Sequence, residues 1–288
     1  MAQDLRLVFL GTSSGTPTRE RNVSSVAVLI DGAVLLFDCG EGTQHQLLRA
    51  PVRSGAIETI FITHVHGDHV YGLPGLLATL SMNGRTKPLT IVGPPGVREY
   101  LEGVLATTQH NPMFPIEYAQ PPFRGRGFRV IAGPLEHSVE VFGYCLIEDD
   151  RPGRFDPEKA RALGIEPGPR YAELARSGDA RVVGPSRRGR RVAYLTDTRP
   201  CEGGVQLARE ADVVIHESTY ATEMLADAEE RLHSTAAGAA RVARDAKASR
   251  LILTHFSARY GDVKPLLDEA RALFPNTDAA YDLAVFDV

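Results

Sequence analysis

Residues 5–10 (Leu-Arg-Leu-Val-Phe-Leu) are apolar with an early charge and predict a β-strand, and the glycine- and serine-rich residues 11–17 that follow predict a loop. Two more apolar runs, 24–30 and 33–38, are separated only by Asp31-Gly32, which predicts a hairpin closed by a two-residue turn. The spacing predicts helices over 43–48 and 72–82, the second with Pro74 near its start, where proline is tolerated. Strands are expected over 59–62, 89–92, 128–132 and 141–147, and a helix over 94–105. After residue 191 the same alternation resumes, with strands at 192–195, 213–215, 250–253 and 284–288 and helices at 235–246 and 263–274. Strand, loop and helix keep exchanging places, which predicts a layered α/β protein. We read residues 1–288 as one domain.

Between residues 151 and 191 the pattern breaks. Pro152, Gly153, Pro157, Gly164, Pro167, Gly168 and Pro169 interrupt any long element, leaving room for short helices at 156–163 and 171–176. We read this segment as an inserted flexible arm without a core of its own. It holds 11 basic against 5 acidic residues, whereas the remainder holds 21 against 31, so a basic insertion sits on an acidic body.

The other bounds are simpler. With 43% hydrophobic and 24% charged residues the chain buries a core, and its apolar runs are too short for a membrane span, so no membrane partner is expected. Residues 1–4 lead into a strand and lack the basic start and long apolar stretch of a signal peptide. Three cysteines, Cys39, Cys145 and Cys201, are widely spaced and odd in number, which argues against a disulfide framework and for a cytoplasmic protein.

Chemistry concentrates in Thr63-His64-Val65-His66-Gly67-Asp68-His69, directly after a predicted strand. Imidazole nitrogens and carboxylate oxygens are the ligands zinc takes in open, catalytic sites. His64 and His66 alternate on one side of an extended chain and can grip one ion, while Asp68 and His69 reach a second. His137, Asp197 and His255 stand at other strand ends, which a sheet gathers together. The expected centre is dinuclear: His64, His66 and His137 on one ion, Asp68, His69 and His255 on the other, and Asp197 between. Asp38, ending another strand, is either an acceptor that orients a ligand histidine or a turn aspartate. A zinc pair suits phosphodiester hydrolysis, because it makes a hydroxide available near neutral pH and neutralises charge on the phosphate. Asp68 would also take a proton from the nucleophile. His233, outside the ligand set, is a candidate proton donor to the leaving oxygen, with Glu217 able to polarise it; its alternative reading is a residue at a helix start.

These residues resemble the metallo-β-lactamase superfamily. Within it the chain is similar, along essentially its whole length, to the ribonuclease Z family of tRNA 3′-processing endonucleases. The matching stretches are residues 9–17, 21–25, 38–44 and 72–77, His216-Glu217 with Thr219-Tyr220, and 233–236. The resemblance implies a four-layer αβ/βα sandwich, two zinc ions per subunit (manganese being another divalent candidate), a homodimer and a precursor tRNA substrate. It supports the proton-shuttle role for His233 with Glu217. It also makes the insertion a tRNA-binding arm, with Gly168, Pro169 and Arg170 at the contact and the basic charge facing phosphates. Small-molecule phosphodiesterase or other metallohydrolase activity in the same fold, and a catalytically silent RNA-binding protein, are the alternatives. The first has no use for a protruding arm, and the second requires a missing ligand or shuttle.

Overall fold

The structure, a computed structural model, describes residues 5–151 and 153–288. Residues 1–4, read above for a signal peptide, and Pro152, counted among the arm's breakers, lie outside the described residues. The first half contributes β1 (Leu5–Gly11), β2 (Ser13–Ser14), β3 (Ser25–Ile30), β4 (Ala33–Phe37), β5 (Ile57–Phe61), β6 (Leu89–Val92) and β7 (Ile116–Ala119). The second half contributes β8 (Phe123–Gly125), β9 (Phe128–Pro134), β10 (Phe142–Glu148), β11 (Arg191–Leu195), β12 (Val213–Glu217), β13 (Leu251–Thr254), β14 (Phe256–Ser257), β15 (Thr277–Ala279) and β16 (Val285–Asp287). They form two seven-stranded sheets, ordered β16-β1-β3-β4-β5-β6-β7 and β15-β13-β12-β11-β10-β9-β8.

The sheets meet over an aromatic core. Phe61 stacks on Phe37 with ring centroids 4.9 Å apart, and Tyr144 presents an edge to Phe61 at 5.4 Å. The Tyr144 hydroxyl, carried into this apolar layer, donates to the Ile62 carbonyl at 2.7 Å, so it is not left unsatisfied. Helices cover the outer faces. On the first sheet lie α1 (Thr43–Arg49), α2 (Gly67–Val70), α3 (Gly72–Met82) and α4 (Gly96–Thr107), burying Leu47, Leu73, Leu76, Leu80 and Leu101. The arm carries α5 (Pro157–Ala162) and α6 (Pro169–Ser177), and α7 (Glu202–Leu207), α8 (Leu225–Glu230), α9 (Ala236–Asp245) and α10 (Lys264–Leu273) follow. Leu207 of α7, the alanines of α9 and Leu266 of α10 pack on the second sheet. Helix, sheet, sheet and helix make the four layers expected of the resemblance.

Local chemistry explains most boundaries. Asp31 and Gly32 both have positive φ, 50° and 84°, as a two-residue hairpin turn matched to strand twist requires. Residues 11–17 are not all loop: β2 pairs in parallel with β14 and ties the chain's two halves together beside the site. The short strands β7, β8 and β15 and the short helices α7 and α8 were not anticipated. In α7, Gly203 and Gly204 weaken the helical signal, but a Cβ on Gly203 would lie 2.3 Å from the Pro134 carbonyl oxygen, so the close packing on β9 needs glycine.

Asp156 caps α5, accepting from the backbone N–H of Glu158 and Lys159 at 3.0 Å each. Against expectation, the arm has a small core: Ala160, Val182 and Val183, with Phe155, Ile165, Tyr171 and Leu174 against them. Its root joins the end of β10 to the start of β11. Because β11 runs towards Asp197 and β10 runs away from it, the arm leaves the sheet at the end opposite the metal-ligand candidates.

Candidate metal centre and active site

The site lies where strands end. Past β5, the backbone N–H of Thr63 donates to Asp38 Oδ1 at 2.9 Å, anchoring the chain as it leaves the sheet. His64 and His66 follow in extended backbone, while Asp68 and His69 lie in α2, a helical turn that replaces the simple turn expected. This turn is clamped to the loop after β4: Cys39 N–H donates to the His69 carbonyl and Gly72 N–H to the Cys39 carbonyl, both at 2.9 Å. A Cβ on Gly72 would fall 2.1 Å from the Gly40 carbonyl oxygen, so only glycine permits this approach. Asp38, Asp197 and His255, at the ends of β4, β11 and β13, all sit in the left-handed region with φ of 59°, 49° and 57°. Backbone strain at three converging strand ends, in residues with a Cβ, marks a site held by its surroundings.

Two groups of side chains come together. His64 Nε2 and His137 Nε2 lie 3.1 and 3.3 Å from His66 Nδ1, so three imidazoles converge. His69 Nε2 and His255 Nε2 lie 3.4 and 3.5 Å from Asp68 Oδ2. Asp197 faces both groups. Its Oδ1 is 3.2 Å from His69 Nε2 and 3.1 Å from His255 Nε2, while its Oδ2 is 3.7 Å from His64 Nε2 and 3.8 Å from His137 Nε2. The seven residues thus divide as the sequence reading grouped them, with Asp197 common to both.

Four of the five imidazoles are oriented from behind. His69 Nδ1 lies 2.8 Å from Asp38 Oδ2, and the same buried carboxylate accepts from the hydroxyls of Thr63 and Tyr194 at 3.0 Å. His64 Nδ1 meets the Thr63 hydroxyl at 3.0 Å, His255 Nδ1 the Thr219 hydroxyl at 3.0 Å, and His137 Nδ1 the Leu232 carbonyl at 3.2 Å. Asp68 Oδ2 accepts from Gly15 N–H at 2.9 Å. Of these contacts, only the Asp38 one was anticipated; the hydroxyls of Thr63, Tyr194 and Thr219 and the backbone of Leu232 and Gly15 were missed. Thr63 and Thr219 did stand inside motifs already singled out.

The electrostatics follow from burial and neighbours. Burial pushes the pKa of His64 and His137 down, leaving neutral imidazoles with free lone pairs. Burial alone would raise Asp68 and Asp197, but the imidazoles beside them outweigh it and hold both carboxylates well below their usual range. His69 is driven the other way: burial opposes its charge, yet Asp197, Asp38 and Asp68 together raise it well above normal. His69 Nε2 and His255 Nε2 are buried without a hydrogen-bond partner. Orphaned imidazole nitrogens aimed at paired carboxylates are a donor set that a divalent cation completes. The residues fit the metal.

Beside this set, Glu217 is fully buried and accepts from Thr198 N–H at 2.7 Å, Thr219 Oγ1 at 2.6 Å and Ser234 N–H at 3.0 Å. His233 Nδ1 lies 2.8 Å from Glu217 Oε1. Burial lowers the His233 pKa, but the Glu217 carboxylate more than compensates and lifts it to about 9. A cleft of about 460 Å³ opens over the cluster, lined by Ser14, Gly15, Ser138, Tyr220, Arg231 and His233 among others. A larger groove of about 640 Å³ around Arg53, Glu58 and Arg85 gathers no such ligands. Gly168, Pro169 and Arg170 are exposed at the start of α6, away from the cluster. The basic surplus of the arm is unevenly placed: residues 156–179 hold 4 basic and 5 acidic side chains, and the surplus is seven arginines at the root.

Comparison with known proteins agrees with this geometry. Residues 5–113 match the family model described as anti-Pycsar protein Apyc1, and residues 177–256 the β-lactamase superfamily domain. Among solved structures, human tRNase Z, short form, superposes with a TM-score of 0.72 at 29% identity, covering 98% of both chains. A metallo-β-lactamase fold protein from Bacillus subtilis gives 0.75 at 18% identity over 99% of this chain and 100% of that one, a likeness of fold alone. Fold and site together define a metal-dependent hydrolase of the metallo-β-lactamase superfamily. A curated ribonuclease Z from Acaryochloris marina is 47% identical over 99% of this chain and 98% of its own. A ribonuclease BN from Erwinia tasmaniensis is 45% identical over 98% and 99%. The chain belongs to the ribonuclease Z family.

Asp38→Asn keeps the shape but removes the carboxylate that fixes His69. Loss of such an orienting partner weakens metal affinity by about 10- to 100-fold. Competition with a chromophoric chelator checks this, and unchanged affinity would show that Asp38 serves only the fold.

Proposed function

We propose that this chain is an endoribonuclease that removes the 3′ trailer from tRNA precursors, leaving a 3′-hydroxyl on the tRNA and a 5′-phosphate on the trailer. The observation that carries this reading is His233, its Nδ1 held 2.8 Å from the buried Glu217 carboxylate, beside two ligand groups that share Asp197. Its relatives named ribonuclease Z and human tRNase Z supply the substrate class. We assign two zinc ions per subunit, with manganese an acceptable substitute: one to His64, His66 and His137, the other to Asp68, His69 and His255, and Asp197 to both. Bound there, the ions supply Lewis acidity that neutralises the phosphate and acidifies a water molecule.

The chain's own groups do the rest. Asp68, its Oδ2 steadied by Gly15 N–H, accepts the proton released by the attacking water. His233 keeps Nδ1 on Glu217, which leaves Nε2–H to protonate the departing tRNA 3′-oxygen. Glu217 sets both the orientation and the charge of that imidazole.

We assign tRNA binding to the arm, with Gly168, Pro169 and Arg170 at the contact. Seven residues of β10 separate the arm root from the site, about 20 Å of strand, so a substrate touching both is longer than a small phosphodiester. The expected homodimer finds support in Leu48 of α1 and Met82 of α3, which are 80% and 86% exposed; the solution mass tests it. We assign a cytoplasmic site of action; no helix among the described residues is long and apolar enough to cross a membrane.

Incubating the chain with a precursor tRNA bearing a 3′ trailer should give one chelator-sensitive cut beside the acceptor stem. Deleting residues 151–183 should weaken tRNA binding while a small chromogenic phosphodiester is still hydrolysed. No cut in the full chain, with the small ester still turned over, would favour the small-molecule reading. His233→Ala should lower kcat by about 100-fold or more with the metal content intact. Loss of metal in that variant would instead place His233 among the ligands.

A further inference from the structure

The arginine surplus at the arm root belongs to a wider surface. In the β8–β9 ladder Arg124 stands directly opposite Arg129. Ile147 of β10 faces Arg129 on one side and Arg191 of β11 on the other. Residues in register across a sheet share a face, so Arg124, Arg129 and Arg191 form one transverse row. A second like-charge pair, Arg151 opposite Arg187, lies at the arm root. Like charges placed directly opposite are destabilising.

This end of the sheet, comprising residues 124–129, 148–151, 153–154, 179–191 and Asp212, holds ten arginines, no lysine and five carboxylates. The rest of the chain holds 22 basic and 31 acidic residues. The five carboxylates are already engaged. Glu148 is buried between Arg151 and Arg190, Asp149 takes Arg124 in a two-point contact, Asp150 accepts Gly189 N–H, Asp179 holds Arg181 and Asp212 holds Arg188. Arg126, Arg129 and Arg154 are exposed and form none of these pairs.

Cations on an edge strand can simply prevent strand-to-strand aggregation. That accounts for Arg124 on β8, the edge, but not for Arg129 one strand in. The exclusive use of arginine suits the planar, two-point recognition of phosphate. No large apolar side chain is exposed among the described residues of this surface, which argues against a membrane partner.

We propose that this surface, distinct from the arm tip, binds an RNA phosphate backbone, and that it supplies most of the salt-dependent affinity for tRNA. The inference rests on the tRNA-processing reading above. The tip, with no net positive charge, would then contribute contact geometry and little of the electrostatic attraction.

The test is binding of mature tRNA to the metal-loaded full chain across a range of salt. In the combined variant Arg124→Gln, Arg126→Gln, Arg129→Gln, the slope of log affinity against log salt should fall by about 2–3. The matching lysine variant should keep the parent slope. If the combined variant melts early, Arg126→Gln alone, on the exposed hairpin turn, should lower the slope by about 1. An unchanged slope in a folded variant overturns the inference and leaves these arginines as edge protection. Binding to phosphatidylserine vesicles that is lost in the variant, with the tRNA slope intact, overturns it in favour of a membrane. A parent chain that fails to cut precursor tRNA would sink the underlying reading instead, and that is read without any variant.

Discussion

One carboxylate organises this molecule's chemistry. Asp197 is buried among four imidazoles, with one oxygen turned to each of two ligand groups. A lone carboxylate in such a place would be expensive to bury, and the imidazoles around it, His255, His69 and His64, outweigh that cost. The rest of the site is arranged so that this cost is met by positive charge. Parallel pairing of β11, β12 and β13 delivers Asp197, Glu217 and His255 to one edge. Left-handed backbone at Asp38, Asp197 and His255 then turns each chain sharply at the strand's end.

Behind the ligands run two sets of hydrogen bonds. Asp38 gathers Thr63, Tyr194 and His69, and Thr219 links His255 to Glu217 and so to His233. Thr219 donates to Glu217 and so accepts from His255 Nδ1, which fixes the His255 tautomer with its Nε2 lone pair facing the cluster. The orientation of His255 and the setting of the proton donor therefore share one buried network, and a change at either end is felt at the other.

Much of this could be read from residue order, for identifiable reasons. Four of the seven ligand candidates lie within six residues, a local pattern that needs no tertiary information. His137, Asp197 and His255 were legible because they follow apolar strands, and strand ends converge in a layered fold. The oriented hydroxyls of Thr63, Tyr194 and Thr219 were not, because threonine and tyrosine carry no mark of their role until packing sets their partners. The arm's small core was hidden because Phe155, Ala160, Val182 and Val183 come together only when two segments separated by helix breakers fold back. The placing of its charge was hidden too: a linear tally cannot tell the tip from the root, where Arg151 and Phe155 pair with Arg187 and Val183.

Zinc stoichiometry tests the central claim most directly. Native mass spectrometry of the parent chain and of Asp197→Asn, each loaded under the same free zinc, would count the ions held. Two ions per parent chain, with both weakened by the single substitution, is the expected result. One ion in the parent, or loss of a single ion in the variant with the other unaffected, would contradict a centre organised around a shared carboxylate.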